Sequence, residues 1–344
     1  MGILIKEADL DKDKDILIQT LNENRRIPLD EERYVWLYKK NPYGNAKVWL
    51  VIDEDSGEVA GFTCALPRAV KVENQEVICW NCGDFSINKK YRTLGVAIKL
   101  RKAAKECVDK GIVPFLYAHP NDKMLVVHLK VGHTVIGKMF RYAKLLKLNA
   151  KIEERWGKNF RWVSKIINPM MKWTGTEIFR KRIYEFTITT DRFGDEFNSF
   201  FDEVKGNYPV IGVRSAKYLN WRFREHPLYN VETIILKKNT SIVGYLIFIT
   251  EAGIVHIKDF LYLNEEAGME LLSNLIIELR KREVYSISAG LLNTNPFINI
   301  LKKFGFSLRP DSSSVIVHPN SSFEFADLVL DGSKWFMTVG DRDV

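Results

Sequence analysis

Six residues, Arg92–Ala97, combine a cation with small residues in a pattern suited to binding phosphate, R-x-x-G-x-A. Small side chains at Gly95 and Ala97 would let an anion approach the backbone, and Arg92 would add a fixed cation at the rim. If a helix begins here, its first N–H groups lack intrahelical partners and its dipole adds partial positive charge. The spacing therefore predicts a phosphate or pyrophosphate site.

The flanking residues predict the strand and the helix that would hold this turn. The preceding run Val77–Ile87 is apolar and of strand length. After the turn, apolar side chains recur at helical spacing on one face, and lysines lie off that face. The apolar face consists of Val96, Ala97, Leu100, Ala104, Cys107 and Val108. The sequence thus predicts a strand, a small-residue turn and a helix in succession.

This strand–turn–helix resembles the acyl-CoA pyrophosphate arm of the GNAT superfamily of N-acetyltransferases, which carries [Arg/Gln]-x-x-Gly-x-[Gly/Ala]. The lead-in Ile87–Arg92 is similar to the superfamily's V-x-P-x-Y-R, with Lys89 where proline is usual. The resemblance implies acetyl-CoA, or another acyl-CoA, as co-substrate, with its pantetheine along the strand and its pyrophosphate at the turn. The implied binding residues are Phe85, Ser86 and Ile87 on the strand, and Arg92, Thr93, Leu94, Gly95, Val96 and Ala97 in the turn.

Asp84, just before these strand residues, is the candidate general base for an attacking amine. The neighbouring Gly83 predicts a local kink or bulge that would turn the carboxylate into the cleft. A base working near neutral pH would need its pKa raised by burial. The alternative is that Asp84 only caps or hydrogen-bonds local backbone, and Asp259 at the matching place in the second half favours that alternative.

The candidate general acid departs from the family pattern. The resemblance implies a helix that reads like l-Y-e-k-l-G-F, whose tyrosine donates a proton to the departing sulfur. Here the run His128–His133 occupies that frame, with His128 at the tyrosine position. Histidine titrates near neutrality and can donate a proton, although a packed or surface role is the alternative. Asn121, in the run His119-Pro120-Asn121, matches an asparagine that in many GNAT domains hydrogen-bonds the pantetheine arm.

Length, charge and cysteine content bound the class of protein. The 344 residues are enough for two domains. The net charge of +8 is mild for this length, so it suits an anionic co-substrate and disfavours nucleic acid as a partner. Four cysteines without regular spacing favour a reducing, cytoplasmic setting. No apolar run approaches the roughly 20 residues of a membrane-spanning helix.

No metal site is predicted. Cys79 and Cys82 form a C-x-x-C pair, but strand residues three apart point to opposite faces. The sequence has no second such pair to complete a zinc site.

The chain repeats the order of its motifs. The elements predicted for residues 1–148 run β-α-α-β-β-β-α-β-α-β, which is similar to a GNAT domain. Pro42 is echoed by Pro227, and Asp84-Phe85 is echoed by Asp259-Phe260, as in a diverged duplication. The predicted fold class is α/β, with two tandem GNAT-like domains over residues 1–148 and 183–344. Each is expected to be a mixed, mostly antiparallel twisted sheet flanked by helices.

Two further segments distinguish the halves. Residues 149–182 form a basic aromatic connector, which either packs against the domains or touches a membrane surface or an anionic polymer. In the second half, Glu265 and Glu266 stand where the phosphate turn would be and would repel a pyrophosphate. The second copy is therefore predicted to be degenerate.

At the C-terminus, Asp341 and Asp343 are expected in a solvated tail, with contact to a cationic acceptor as the alternative.

These patterns together predict an N-acyltransferase, most simply an N-acetyltransferase, in which an amine attacks the acyl-CoA directly. The acceptor is expected to be a small-molecule or peptide amine, and an amino sugar is one guess drawn from tandem relatives. One alternative is a Fem-type aminoacyl transferase, a tandem GNAT fold that uses aminoacyl-tRNA and lacks an intact pyrophosphate turn. The other is a non-catalytic CoA-binding or scaffold protein, favoured by the missing tyrosine and the degenerate second copy.

Overall fold

A computed structural model describes residues 2–25, 28–148 and 175–342. The first half contains β1 (Ile3–Glu7), α1 (Lys14–Asn22), α2 (Glu31–Tyr38), β2 (Lys47–Asp53), β3 (Val59–Val72), β4 (Gln75–Ile87), α3 (Leu94–Asp109), β5 (Phe115–Ala118), α4 (Asp122–Lys130) and β6 (Thr134–Leu145). The described part of the second half contains β7 (Glu185–Thr189), α5 (Glu196–Val204), β8 (Val210–Gly212), α6 (Ala216–Leu219), β9 (Glu232–Lys238), β10 (Ser241–Glu251), β11 (Ile254–Tyr262), α7 (Glu265–Lys281), β12 (Ser286–Leu292), α8 (Phe297–Lys303), β13 (Ser307–Pro319), α9 (Ala326–Leu330) and β14 (Trp335–Phe336).

One continuous sheet runs through both halves, and its strand order is symmetric about the centre. The order is β1-β2-β3-β4-β5-β13-β6-β12-β11-β10-β9-β7, with β8 and β14 off this path. Neighbours are antiparallel except for β4 with β5, β11 with β12 and β14 with β8. Because β13 lies between β5 and β6, the last long strand of each half pairs with the other half.

The predicted α/β class, with a mixed, mostly antiparallel sheet flanked by helices, is confirmed. The sequence predicted a sheet for each half, whereas the described residues show a single sheet to which both halves contribute. The domain boundaries at residues 148 and 183 stay a prediction. Most of the predicted connector, residues 149–174, lies outside the described residues. In the ranges that the structure describes, no helix is long and apolar enough to cross a membrane.

Strand β3 extends past Pro67 to Val72. Proline lacks an N–H and is tolerated in a strand only where no neighbour needs that donor. Pairing of β2 with β3 ends at Ala65, and β8 joins β3 only from Val70, so Pro67 lies in the gap between them. The Asn41 side chain donates to the Pro67 carbonyl across this gap, at 2.8 Å. The longer strand supports β4 along its length.

Helix α3 packs on the sheet through the face that the sequence predicted. Leu100, Ala104 and Val108 are fully buried in a core cluster with residues of β2, β4 and β5. Burying a leucine or valine side chain contributes about 1.5 to 3 kcal/mol. Thr93 precedes the helix with extended backbone, and its hydroxyl accepts a hydrogen bond from the Val96 N–H at 3.3 Å. This packing and this cap fix where the N-terminus of α3 lies against the end of β4.

The C-terminal segment is buried, which corrects the expectation of a solvated tail at Asp341. The Asp341 carboxylate lies between two buried guanidiniums, 3.1 Å from Arg68 and 2.7 Å from Arg214. Arg214 also bridges to Asp259 at 3.1 Å. Asp341 therefore joins β3 of the first half to β11 of the second half. Asp343 lies outside the described residues.

Candidate active site

The cleft begins where β4 and β5 separate. These parallel strands pair only from Trp80 to Cys82, and β5 ends at Ala118. Beyond Cys82, β4 carries one extra residue relative to β3, because Thr63 pairs with Phe85 whereas Ala65 pairs with Cys82. This is the bulge predicted at Gly83. The segment of β4 after the bulge is left without a partner from β5, so its edge can accept an extended ligand.

A cavity of about 200 Å³ lies at this separation. It is lined by Arg25, Cys82, Gly83, Asp84, Phe85, Arg101, Ala118, His119, Pro120, Asn121, Met124 and His128. The structure thus brings the predicted base, the predicted acid and the predicted pantetheine-binding asparagine to one cavity.

The predicted phosphate turn forms the N-terminus of α3. A Cβ added at Gly95 would meet nothing nearer than the Thr93 hydroxyl, at 4.0 Å, so the space over this end of the helix is open. The early N–H groups of a helix have no intrahelical acceptor. Arg92 is exposed, and it donates to the Ile87 carbonyl at 2.9 Å and to the Asn24 side chain. Arg92 thereby ties the turn to the end of β4.

Ala97 lies on the apolar face of α3, as the helical spacing predicted. It is 9 % exposed and packs in the core cluster under α3, so its side chain faces the sheet. The backbone of the turn faces the open space over Gly95, and the role of Ala97 in binding pyrophosphate stays a prediction.

The strand residues named for the pantetheine are covered on one side by α1 and the residues after it. The Ser86 hydroxyl donates to the Thr20 carbonyl at 2.8 Å and accepts from Asn24 at 2.5 Å. Phe85 is half-buried, and its ring faces the guanidinium of Arg101 on α3, with Cζ 5.3 Å from the ring centroid. The side chains of Ser86 and Phe85 therefore leave toward opposite faces of the sheet, and the backbone forms the edge between them.

Asp84 is buried and is held by side chains of the N-terminal helical region. One of its oxygens pairs with Arg25, and the other accepts a hydrogen bond from Tyr38 at 2.9 Å and lies 3.9 Å from Arg33. Burial and the nearby Asp84 carboxylate raise the pKa of Tyr38 well above its ordinary value. These contacts are to side chains that are distant in sequence, so they are not the local backbone cap that was the alternative. The base role of Asp84 stays a prediction. Both oxygens of Asp84 are already engaged, so accepting a proton from an amine requires Arg25 or Tyr38 to yield.

His128 faces the same cavity but is buried and neutral. Its Nδ1 lies 2.8 Å from the Nδ1 of His133, so one ring donates to the other. Burial, followed by the positive charge of Arg101, holds the pKa of His128 far below its ordinary value. A neutral imidazole is a poor proton donor to a thiolate. This arrangement disfavours the predicted acid role of His128, and its side chain instead forms part of the cavity wall.

Asn121 caps α4, since its side-chain oxygen accepts from the Met124 N–H at 3.0 Å. The residue is exposed at the mouth of the cavity. Capping uses the oxygen, and the amide nitrogen can still donate a hydrogen bond. This placement is compatible with the predicted contact to a pantetheine arm.

Two buried polar residues of the cavity were not predicted as site residues. His119 is 6 % exposed, neither of its ring nitrogens has a hydrogen-bond partner among the described residues, and burial lowers its pKa to about 3. Arg101 is 2 % exposed, and its Nε and Nη1 likewise have no partner in the described part of the chain. A signal for Arg101 was present, because it lies four residues after Ala97 on the apolar face of α3, where a charge is unusual.

The matching turn in the second half carries acidic side chains. Asn264 caps α7 by accepting from the Ala267 N–H at 3.0 Å, and the Glu265 carboxylate pairs with Lys303 at 2.5 Å. Counted from the capping residues Thr93 and Asn264, the exposed Glu266 lies where α3 has Gly95. These contacts agree with a second copy that does not take a pyrophosphate. Among the described residues, no cluster of three or more histidine, cysteine or acidic side chains could hold a metal ion.

Comparison with known proteins rests on structure, since no family model and no curated protein matches the sequence. A GCN5-related N-acetyltransferase from Anabaena variabilis ATCC 29413 superposes with a TM-score of 0.67 at 13 % identity, over 92 % of this chain and 73 % of that one. The chain has a GNAT-type fold. A conserved protein from Enterococcus faecalis V583, described as a probable N-acyltransferase, superposes with a TM-score of 0.65 at 14 % identity, over 93 % of this chain and 73 % of that one.

The GNAT-type fold extends to a eukaryotic enzyme as well. Saccharomyces cerevisiae N-myristoyltransferase, solved with bound myristoyl-CoA, gives a TM-score of 0.59 at 11 % identity, over 92 % of this chain and 79 % of that one. Each match covers more of this chain than either half alone. At these identities the likeness is one of fold, and the activity has to be argued from the cleft.

Proposed function

We propose that this protein is an acyl-CoA-dependent N-acyltransferase, most simply an N-acetyltransferase, with one acyl-CoA site in its first half. The observation that carries the proposal is the continuity of three features. The open N-terminus of α3 leads to the unpaired edge of β4 after Cys82, and that edge leads to the cavity beside Asp84. A pyrophosphate, an extended amide-rich arm and a thioester match these three features in order.

The turn residues Arg92–Ala97 would bind the pyrophosphate through backbone N–H groups, the helix dipole and the Arg92 guanidinium. Arg92 can do so by releasing Asn24 and Ile87, which hold it in the free protein. The backbone of Phe85, Ser86 and Ile87 would pair with the pantetheine as an added strand. One N–H of this segment would polarise the acyl carbonyl, an effect worth about 2.7 to 4 kcal/mol in other enzymes.

The size of the cavity favours a short acyl chain. Its volume of about 200 Å³ is below the roughly 300 to 1,000 Å³ of sites for drug-sized ligands. An acetyl group and an attacking amine need little room, whereas a long acyl chain needs a channel of its own. We therefore favour acetyl-CoA as donor and a small-molecule or peptide amine as acceptor. An amino sugar remains one guess for the acceptor.

Calorimetry tests the donor. The full chain should bind acetyl-CoA with one site per molecule, and Arg92→Ala should weaken this binding. Lys102→Ala, which removes an exposed cation from the outer face of α3, is the matched control and should bind normally. Absence of acetyl-CoA binding would contradict the proposal, and tight binding of tRNA instead would favour an aminoacyl transferase.

Turnover separates an enzyme from a CoA-binding scaffold. A panel of amines, amino sugars and peptides should include at least one acceptor whose acylation releases CoA, and Asp84→Asn should lower that rate. Tyr38→Phe, which keeps the carboxylate and removes only one of its hydrogen bonds, should retain most of the rate. Binding without any turnover across the panel would favour the scaffold.

A further inference from the structure

Arg101 is a buried cation without a counter-charge in the part of the chain that the structure describes. It is 2 % exposed, its Nε and Nη1 have no hydrogen-bond partner, and it lines the cavity between β4 and β5. Two other buried arginines differ in this respect. Arg68 and Arg214 are both paired with Asp341.

Such a cation is costly unless an anion reaches it. The effective penalty for burying one ion is several kcal/mol. The ring of Phe85, whose centroid lies 5.3 Å from Cζ of Arg101, offsets about 0.5 to 2 kcal/mol of this by a cation–π contact. The remainder is recovered only if a negative charge enters the cavity. The nearest carboxylate that lines the cavity, Asp84, is already paired with Arg25.

The histidines His119 and His128 of this cavity, and His133 beside His128, are poorly placed to protonate a leaving group. Burial holds the pKa values of His119, His128 and His133 far below the ordinary value, and Arg101 contributes to the shifts at His128 and His133. Acyl transfer from a thioester nevertheless leaves a thiolate in the cleft. A fixed cation can stabilise this charge without a proton transfer.

We propose that Arg101 is a catalytic residue that pairs with the departing CoA thiolate. The amine nitrogen attacks the thioester carbon, a C–N bond forms and the C–S bond breaks. The electron pair stays on sulfur as a thiolate beside Arg101, and the proton lost by the amine passes to a base or to water. The missing tyrosine and the unpaired arginine thus have one explanation, since charge pairing replaces protonation of the leaving group. This inference rests on the proposed function.

Binding of CoA and desulfo-CoA, in which hydrogen replaces the thiol group, tests the pairing directly. A free thiol titrates at about pH 8.5. The wild-type chain should bind CoA more tightly than desulfo-CoA above that pH, by about tenfold or more, since one unit of thiol pKa corresponds to about a factor of ten. The ultraviolet absorption of the bound thiolate should persist to lower pH than in free CoA. If Arg101 has only a structural role, CoA and desulfo-CoA should bind equally tightly, and the thiolate absorption should appear at the same pH as in free CoA.

Variants assign the effect to one side chain. Arg101→Met should abolish the preference for CoA over desulfo-CoA, Arg101→Lys should retain part of it, and Lys102→Met on the exposed face of α3 should retain all of it. The wild-type comparison decides the matter even if Arg101→Met fails to fold. The inference is overturned if wild type binds CoA and desulfo-CoA equally, or if folded Arg101→Met keeps the preference.

Two other results are informative in different ways. An Arg101-dependent preference for malonyl-CoA over acetyl-CoA, with none for CoA over desulfo-CoA, would overturn thiolate pairing and assign the cation to a carboxylate on the acyl chain. If wild type binds neither CoA nor desulfo-CoA, the proposed function itself fails. Loss of the thiol preference alone leaves the proposed function intact.

Discussion

Trp36 and Trp221 exchange hydrogen bonds across the junction of the two halves. The indole Nε1 of Trp36 donates to the carbonyl of Trp221 at 2.7 Å, and Nε1 of Trp221 donates to the carbonyl of Trp36 at 3.0 Å. The rings stack with centroids 5.1 Å apart. The two residues lie 185 positions apart, the same spacing as Pro42 and Pro227. Reciprocal contacts of this kind arise at the axis of a two-fold arrangement, although the duplication itself stays a prediction.

The tryptophan pair should be coupled in stability. Trp36→Phe or Trp221→Phe keeps a stacked ring but leaves one buried carbonyl without its donor, at a cost of about 1 to 3 kcal/mol. We expect the double variant to lose less than the sum of the single variants, with a coupling of about 0.5 kcal/mol or more. Chemical denaturation of the four proteins measures this. Strict additivity would contradict a direct interaction between the two residues.

Gly95→Glu should separate acyl-CoA binding from stability. The substitution places at the first turn of α3 the kind of side chain that Glu265 places at α7. A carboxylate near a helix N-terminus is stabilising by about 0.3 to 1 kcal/mol, and the space over Gly95 is open. We therefore expect an unchanged or higher Tm, together with loss of acetyl-CoA binding in calorimetry. Gly206→Glu, at another glycine with open surroundings, should leave binding unaltered, and retained binding in Gly95→Glu would place the pyrophosphate elsewhere.

Asp341 should contribute far more to stability than a surface acid. Asp341→Asn leaves Arg68 and Arg214 buried beside a neutral side chain, and breaking a buried ion pair costs about 3 to 5 kcal/mol. Asp311→Asn breaks an exposed pair with Arg141, for which about 1 kcal/mol or less is expected. Urea unfolding of both variants compares the two. Similar losses would contradict the bridging role of the C-terminal segment.

The pH dependence of stability should follow the same carboxylate. Burial alone would raise the pKa of Asp341, but Arg214 and Arg68 outweigh burial and lower it below its ordinary value of 3.8. A carboxylate with a depressed folded-state pKa stabilises the protein above pH 3.8, and this stability is lost as the pH falls through the folded-state pKa. Asp341→Asn should therefore flatten the acid limb below about pH 4.

His119 should contribute to the loss of stability between neutral and mildly acidic pH. Burial lowers its pKa from 6.5 to about 3, so the unfolded chain takes up a proton in this interval while the folded chain does not. Stability then falls as the pH is lowered, by up to about 1.4 kcal/mol per pH unit for one such group. His119→Gln should remove this part of the slope between pH 6 and pH 4 in a series of urea unfolding curves. His318→Gln, at the surface beside Asp109, is the control for a histidine outside the cavity, and an unchanged slope in His119→Gln would mean that His119 is accessible to protons.

Local sequence patterns predicted much of the structure on the proposed acyl-CoA side of this cleft. The turn at Arg92–Ala97, the buried face of α3 and the bulge near Gly83 depend on neighbours in sequence, through helix periodicity and backbone sterics, and the structure has them where the sequence predicted. The solvated tail predicted at Asp341 was wrong, because the burial of that residue depends on what packs against it.

Long-range pairing accounts for what sequence reasoning missed. The partners of Asp84 come from the N-terminal helical region, about 50 residues earlier. No local sequence pattern predicts these contacts. The sequence shows Arg101 as a charge on an apolar helix face, but only the packed cavity shows that no carboxylate pairs with it in the described ranges. The His128–His133 pair and its burial similarly depend on how α4 and β6 fold back on α3.

The sequence by itself determined a strand, a small-residue turn and a helix in succession, and it predicted an anion site at the turn, because those features follow from residue type and spacing along one short stretch. Only the tertiary structure decided that the two halves share one sheet with exchanged last strands, that Asp84 is enclosed by Arg25, Tyr38 and Arg33, and that Arg101 has no carboxylate partner among the described residues. The physical reason is that strand order, burial and charge pairing are properties of contacts between distant residues. Such contacts do not produce a periodic pattern in the sequence.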